Sequence, residues 1–402
     1  MDKFLWEPSG KRKKESLLED FSKYINIKSN YNFKNLWKWS VDHPEEFWSK
    51  FWDYSKIIGD KGKEIIRFDK IFNKTKFFSD SKLNYTENIL KKKSNDIAIN
   101  FLSEKGFEEH ITWNNLYEKV CKFSNYLKKL NLKKGDRVAA YVPNKIETII
   151  SFLACAKNGI IWSSCSPDFG VQGVVDRFKQ IEPKVLITSD YYFYNGKKIN
   201  ILERIPEITK KIPSIKHVII SIYPGQPNLK KLPKYRNIKT HYWSNIIQES
   251  FSKFKFHKFD FEHDLAILYS SGTTGKPKCI CHKNGGVLVQ HLKEHQLHCD
   301  IKENDNVFYF TTCGWMMWNW LISVLASKAS IVLFDGFPMY KRDDLLIKIA
   351  NKENITLFGV SAKYIDTLRK TKKNFKKVYK LKKLRTICST GSPLSSDCYK
   401  FV

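Results

Sequence analysis

The chain has 402 residues, 42% hydrophobic and 14% aromatic, ample for a globular interior built as one large core or two domains. Its formal net charge of +29 comes from lysines scattered along the whole sequence, with only short clusters at Lys11–Lys14 and Lys91–Lys93. That pattern is general surface charge rather than a nucleic-acid-binding or membrane-surface stripe. The opening MDKFLWEPSGKRKKE lacks the apolar core of a signal peptide, so the nine cysteines are expected as free thiols in a reducing, cytoplasmic setting.

The first hundred residues are irregular and rich in Trp and Phe. The stretch Leu36–Ser55 reads as an amphipathic helix pair whose aromatics face inward and clamp this region onto the main body. A regular rhythm follows. Strands are expected at Arg137–Val142, Ile160–Ser164, Val185–Ser189, Val218–Ile222 and Leu265–Ser270, with helices at Ile146–Asn158, Val171–Ile181 and Gly286–His298 between or after them. The strands VFYF, SIVLF and ITLFG come next, with helical pieces at Leu345–Ala350 and Tyr364–Lys370. Near-continuous apolar strands alternating with helices mean an α/β fold with a mainly parallel sheet covered on both faces. The apolar run Cys313–Phe334 is broken by Asn319 and Lys328. It therefore predicts a buried helix and strand, since about twenty clean apolar residues are needed to span a bilayer. The chain closes with a strand at Leu384–Ser389, a turn, and a helix begun at Ser395–Val402. A sheet halted there would lack its next strand, so the sequence is expected to be part of a longer protein.

The stretch that carries chemistry is SSGTTGKPK, Ser270–Lys278, directly behind the strand LAILYS. Ligands of open α/β sheets bind at the carboxyl ends of strands. Gly272 and Gly275 permit backbone angles closed to other residues, so that successive N–H groups can converge on an anion. Ser270, Ser271, Thr273 and Thr274 add hydroxyls; Lys276 and Lys278 add positive charge. A few hydrogen bonds to charged groups, at about 1.5–3 kcal/mol each, suffice to hold a triphosphate. This is not a Walker loop, because Gly275-Lys276 is followed by Pro277, which has no hydroxyl for Mg2+.

YSSGTTGKPK resembles the phosphate loop of the adenylate-forming superfamily, which includes acyl-CoA synthetases and luciferases. KLNYTENIL, IIWSSCSPDFG, RFKQIEPKVLITSD, TTCGWMMWNWL and STGSPL, in that order from Lys82 to Leu394, are similar to stretches of the acetoacetyl-CoA synthetases within it. The resemblance implies the large N-terminal domain of an adenylate-forming enzyme, with mainly parallel sheets flanked by helices. Residues 1–100 would form an N-terminal helical and irregular region and residues 101–402 an adenylation domain incomplete at its C-terminus. The small C-terminal domain, with its catalytic lysine, and the acidic residues for ribose and Mg2+ are expected beyond Val402, so the 402-residue chain alone would be inactive or nearly so.

The implied substrates are ATP with Mg2+, acetoacetate, and coenzyme A, with no nucleic-acid or membrane partner. By resemblance, Ser270–Lys276 wrap the β- and γ-phosphates, and Thr273 and Lys278 serve catalysis beside the pyrophosphate. Gly391, Ser392 and Pro393 form the turn beside adenine, and Thr390 lies close to the acyl site. Trp315, Met316 and Met317 shape the acyl pocket, their bulk suiting a short acid; without the motif, core packing would explain them. Lys197 in YNGKK would meet the coenzyme A nucleotide, or else be a solvated lysine. No residue of this chain is expected to hold a metal.

HLKEH, His291–His295, fits the inverted zinc-peptidase pattern H-x-x-E-H, but so short a pattern arises by chance, and this helix follows the phosphate loop where the family has one. A nucleotide-binding fragment without catalysis, and a sister enzyme acting on another short acid, share every motif above.

Overall fold

The computed structural model describes residues 5–27, 33–225, 231–250, 255–270 and 275–402. Two large sheets carry the fold, where the sequence pattern suggested one. The first has seven strands, ordered Lys239–Tyr242, His217–Ser221, Val185–Ser189, Arg137–Tyr141, Ile161–Cys165, Asp264–Ser270, Lys278–Lys283. All neighbours are parallel except the last pair, a hairpin. The second has six strands, ordered Thr386–Thr390, Leu357–Ser361, Asn306–Tyr309, Ser330–Asp335, Ile97–Ser103, Glu108–Thr112, again parallel except at the last pair.

The sequence explains the layering. Val185–Ser189 and Ile161–Cys165 are buried at every residue, as strands covered on both faces must be. The helix Ile146–Lys157 buries every residue except Glu147, which its apolar composition all round the axis requires of a central helix. Val171–Ile181, by contrast, buries only the stripe Val174, Val175, Phe178 and Ile181 and ends where Glu182 turns left-handed. Cys313–Phe334 resolves into the helix Met316–Ser323, a short helical turn, and the strand Ser330–Asp335. No described helix is long and apolar enough to cross a membrane.

The expected N-terminal helix pair is present as Phe33–Asp42 and Pro44–Tyr54. The second helix does the clamping. Phe47, Phe51 and Trp52 are buried, and the Trp52 ring lies 5.1 Å from Phe78, which lies 5.2 Å from Phe261 beside the seven-stranded sheet. The first helix buries only Leu36, and Trp37 remains exposed, so its aromatics do not all face inward. Two further boundaries differ. Gly286–His298 divides into an α-helix, Asn284–Lys293, and a wider π turn, Glu294–His298. The strand Lys278–Lys283 has no counterpart in the sequence reading, because KCICHK is a short, mostly exposed edge with no apolar run.

What matters for a site is direction. The parallel strands of each sheet end on one edge, and the two carboxyl edges face each other. Asn144, just past Arg137–Tyr141, donates its backbone N–H to Asp335 Oδ1 at 3.1 Å, at the end of Ser330–Asp335. Ser164 Oγ, near the end of Ile161–Cys165, donates to the Cys313 carbonyl at 2.6 Å, just past Asn306–Tyr309.

Candidate functional site

Ser270 and Thr390 end strands at these facing edges, and Lys278, Lys197, Trp315–Met317 and Gly391–Pro393 come in the segments that follow strand ends. Asp264–Ser270 and Lys278–Lys283 pair antiparallel, with Ser270 opposite Lys278 at the carboxyl edge of the first sheet. Ser271, Gly272, Thr273 and Thr274 lie outside the described residues. Ser270 is half-buried; Gly275, Lys276 and Lys278 are exposed. Lys283, at the far end of the strand, pairs with Asp264, whereas Lys276 and Lys278 have no carboxylate partner among the described residues. The hairpin is anchored from behind. Gln180 Nε2 donates to the Pro277 carbonyl at 2.9 Å, and the Tyr269 hydroxyl sits 3.0 Å from Ser163 Oγ. Burial raises the Tyr269 phenol well above its ordinary value, so it stays neutral.

On the second sheet, Thr386–Thr390 delivers Thr390 to the edge, where its Oγ1 lies 2.8 Å from the Tyr309 hydroxyl of the strand Asn306–Tyr309. Gly391 follows at φ +91, a conformation that favours glycine, and turns the chain into exposed Ser392 and Pro393.

Trp315 and Met316 begin the helix Met316–Ser323 but do not join its core: they are 61% and 42% exposed, while Trp318 is fully buried. Met317 is half-buried. Core packing therefore accounts for Trp318 and not for Trp315 or Met316. Met316 instead lines a cavity of about 620 Å3 shared with Trp48, Phe77, Phe261, Ile280 and His291. That volume matches a small-molecule pocket.

Lys197 stands in a second hairpin, Tyr191–Tyr194 with Lys197–Asn200, that leaves the carboxyl end of Val185–Ser189. Asn195 and Gly196, at φ 50 and φ 81, make the two-residue turn, and Lys197 is exposed beside it.

His291 and His295 are core residues. His291 Nδ1 lies 2.8 Å from Ser323 Oγ, and the His295 ring meets Trp320 edge-on at 4.3 Å. Burial pushes the His291 imidazole down to about 3 and His295 well below the ordinary range, so both are neutral. Among the described residues, no three His, Cys, Asp or Glu are grouped to hold a metal.

The sequence reading missed the residues that join the two edges. Asn144 links Asp335, and its Oδ1 accepts from Trp318 Nε1 at 3.0 Å. Tyr223 donates its hydroxyl to Asp335 Oδ2 at 2.9 Å. Burial raises the Asp335 carboxyl to about 7. A detectable signal existed: Asn144, Ser164, Tyr223 and Asp335 each stand at or just beyond the end of an apolar strand, where open α/β sheets place polar work.

Two mainly parallel layers whose carboxyl edges face each other, with the exposed turn Gly391–Pro393 on one and the Ser270–Lys278 strand pair on the other, define an α/β protein of the kind that binds ligands at strand ends. Residues 86–402 match the profile described as AMP-binding enzyme, and the chain belongs to that family. It is 38% identical to acetoacetyl-CoA synthetase from Gallus gallus over 99% of its own length and 61% of that protein's. It is 39% identical to acetoacetyl-coenzyme A synthetase from Rhizobium meliloti, again over 99% and 61% of the two chains. Among solved structures, acetoacetyl-CoA synthetase from Streptomyces lividans superposes with a TM-score of 0.91 at 31% identity, covering 100% of this chain and 62% of the other. The chain thus spans about three fifths of the length of the relatives it matches.

Proposed function

We propose that the protein ligates acetoacetate to coenzyme A at the expense of ATP, within an adenylation domain at 101–402 preceded by an N-terminal region at 1–100. A carboxylate resists thiols because its leaving group would be oxide. In the first step a carboxylate oxygen attacks the α-phosphorus of ATP, the bond to the bridging oxygen breaks, and pyrophosphate departs. In the second step the thiol sulfur attacks the acyl carbon, its proton is lost, and AMP leaves as a stable anion. Positioning and charge stabilisation supply most of the rate.

In this reading Ser270–Lys276 hold the β- and γ-phosphates, with Thr273 and Lys278 beside the phosphorus that reacts. Mg2+ neutralises the triphosphate, with no metal ligand assigned among this chain's residues. Gly391–Pro393 flank adenine, with Thr390 oriented by Tyr309. Trp315, Met316 and Met317 border the acid, and Lys197 meets the nucleotide end of coenzyme A. The observation that supports the reading best is the pairing of Ser270 with Lys278 at the carboxyl edge of one sheet, facing the edge where Thr390 ends a strand of the other, with Trp315 and Met316 exposed.

The test is acid-dependent exchange of radiolabelled pyrophosphate into ATP by the complete polypeptide, with acetoacetate, propionate and acetate side by side. Fastest exchange with acetoacetate is expected. Faster exchange with acetate or propionate would instead make it a sister short-chain synthetase, and none with any acid would remove catalysis from the account.

A further inference from the structure

The hairpin that carries Lys197 is socketed on the opposite sheet by one buried carboxylate. Glu104 follows the strand Ile97–Ser103 and is only 7% exposed. Its Oε1 accepts the Gly196 N–H at 2.7 Å, and its Oε2 accepts the N–H groups of Asn195 at 2.8 Å and Phe337 at 2.7 Å. Two of these donors form the hairpin turn, which comes from the seven-stranded sheet; the third follows the strand Ser330–Asp335 of the six-stranded sheet. The surroundings are shaped to the carboxylate. Gly336 sits at φ +123, and a Cβ there would fall 2.6 Å from Glu104 Cγ, so only glycine leaves it room. Tyr340 closes the other side: a Cβ on Gly196 would meet its ring at 3.0 Å. Tyr194 packs edge-on against Phe337 at 5.6 Å.

We propose that Glu104 is a positioning residue for coenzyme A: by holding the Asn195–Gly196 turn against the second sheet, it aims Lys197 at the nucleotide end of that substrate. A buried carboxylate whose acceptors are filled by three backbone N–H groups from two irregular segments fixes orientation in a way apolar packing does not. The inference rests on the acyl-CoA ligase reading of the hairpin. A Glu104→Gln side chain keeps the shape but turns an NH2 group toward at least one of the three N–H donors, so the turn loses its hold without leaving a cavity.

The test compares wild type, Glu104→Gln, Lys197→Ala and the double variant as complete polypeptides. It reads hydrogen exchange over 191–200 and the affinities for coenzyme A and for ATP. Glu104→Gln is expected to speed exchange in the hairpin and to weaken coenzyme A binding about tenfold, the equivalent of about 1.4 kcal/mol, with ATP affinity within about twofold of wild type. The double variant should bind coenzyme A no more weakly than Lys197→Ala alone, because Glu104 acts through Lys197. Unchanged exchange, unchanged coenzyme A affinity, additive losses, or parallel losses of both ligands each overturn the inference while leaving the ligase reading standing. Wild type that binds ATP but not coenzyme A overturns the ligase reading itself, and the inference with it. Should Glu104→Gln fail to fold, Glu104→Asp, which keeps the charge and shortens the reach, is held to the same outcomes at smaller size.

Discussion

Asp335 makes stability depend on pH in a direction opposite to most carboxylates. It is 8% exposed, sits where the two carboxyl edges join, and has its pKa raised from 3.8 to about 7 chiefly by burial. When protonated it satisfies both neighbours: one oxygen accepts from the Asn144 N–H and the other can donate to the Tyr223 hydroxyl, each within 3.1 Å. When ionised it keeps the hydrogen bonds and loses its hydration. Because the folded pKa lies above the unfolded one, the native state binds more protons over that window. The contribution is fully present below pH 3.8 and is lost as pH rises through about 7. A shift of this size corresponds to about 4 kcal/mol in full, more than half of which falls between about pH 5 and about pH 8. Asp335→Asn copies the protonated form, accepting from Asn144 and donating to Tyr223. Urea denaturation at the two pH values should show the wild type losing about 2–3 kcal/mol relative to the variant on going to the higher pH. A constant difference between the two proteins would refute the reasoning, as would a wild type that gains on the variant.

Two further predictions bear on the site. Lys278→Ala should slow pyrophosphate exchange by about 10–100-fold, the loss of one hydrogen bond to a charged phosphate, and slow thioester formation from preformed acyl-adenylate far less. Equal effects on the two half-reactions would take Lys278 away from the phosphates. Trp315→Ala should change the free energy of unfolding by less than about 0.5 kcal/mol yet raise KM for the acid, because the ring is 61% exposed. Trp318→Ala, three residues on, should cost about 3–5 kcal/mol in stability, since it empties a fully buried site. Stability losses of equal size would mean that Trp315 is packed in the native protein.

How far the sequence revealed this molecule depends on which physical signal each part leaves. Val171–Ile181 and Val185–Ser189 were legible to the residue, because an apolar stripe at helical spacing and a fully apolar strand are local patterns. The division into two sheets left no such mark: it is decided by which strands pair, and strand Ile97–Ser103 pairs with Ser330–Asp335 more than two hundred residues away. The edge strand Lys278–Lys283 was invisible because its first four residues are exposed on both faces, so selection for apolar residues is weak there. Ser270–Lys278 was singled out by its small and cationic residues, and Lys197 by resemblance alone. Asp335 and Glu104 were not. A single acidic residue after an apolar strand looks like a strand end, and only tertiary structure reveals that its oxygens bind backbone from the other sheet.

The central claim is that the facing carboxyl edges cradle a nucleotide whose phosphates reach the 270–278 hairpin. A crystal structure of the protein with ATP tests it most directly. The account predicts the triphosphate against the backbone of residues 270–276 with Lys278 beside it, and adenine against Gly391–Pro393. A triphosphate bound elsewhere, with the hairpin making no contact to it, would contradict the account.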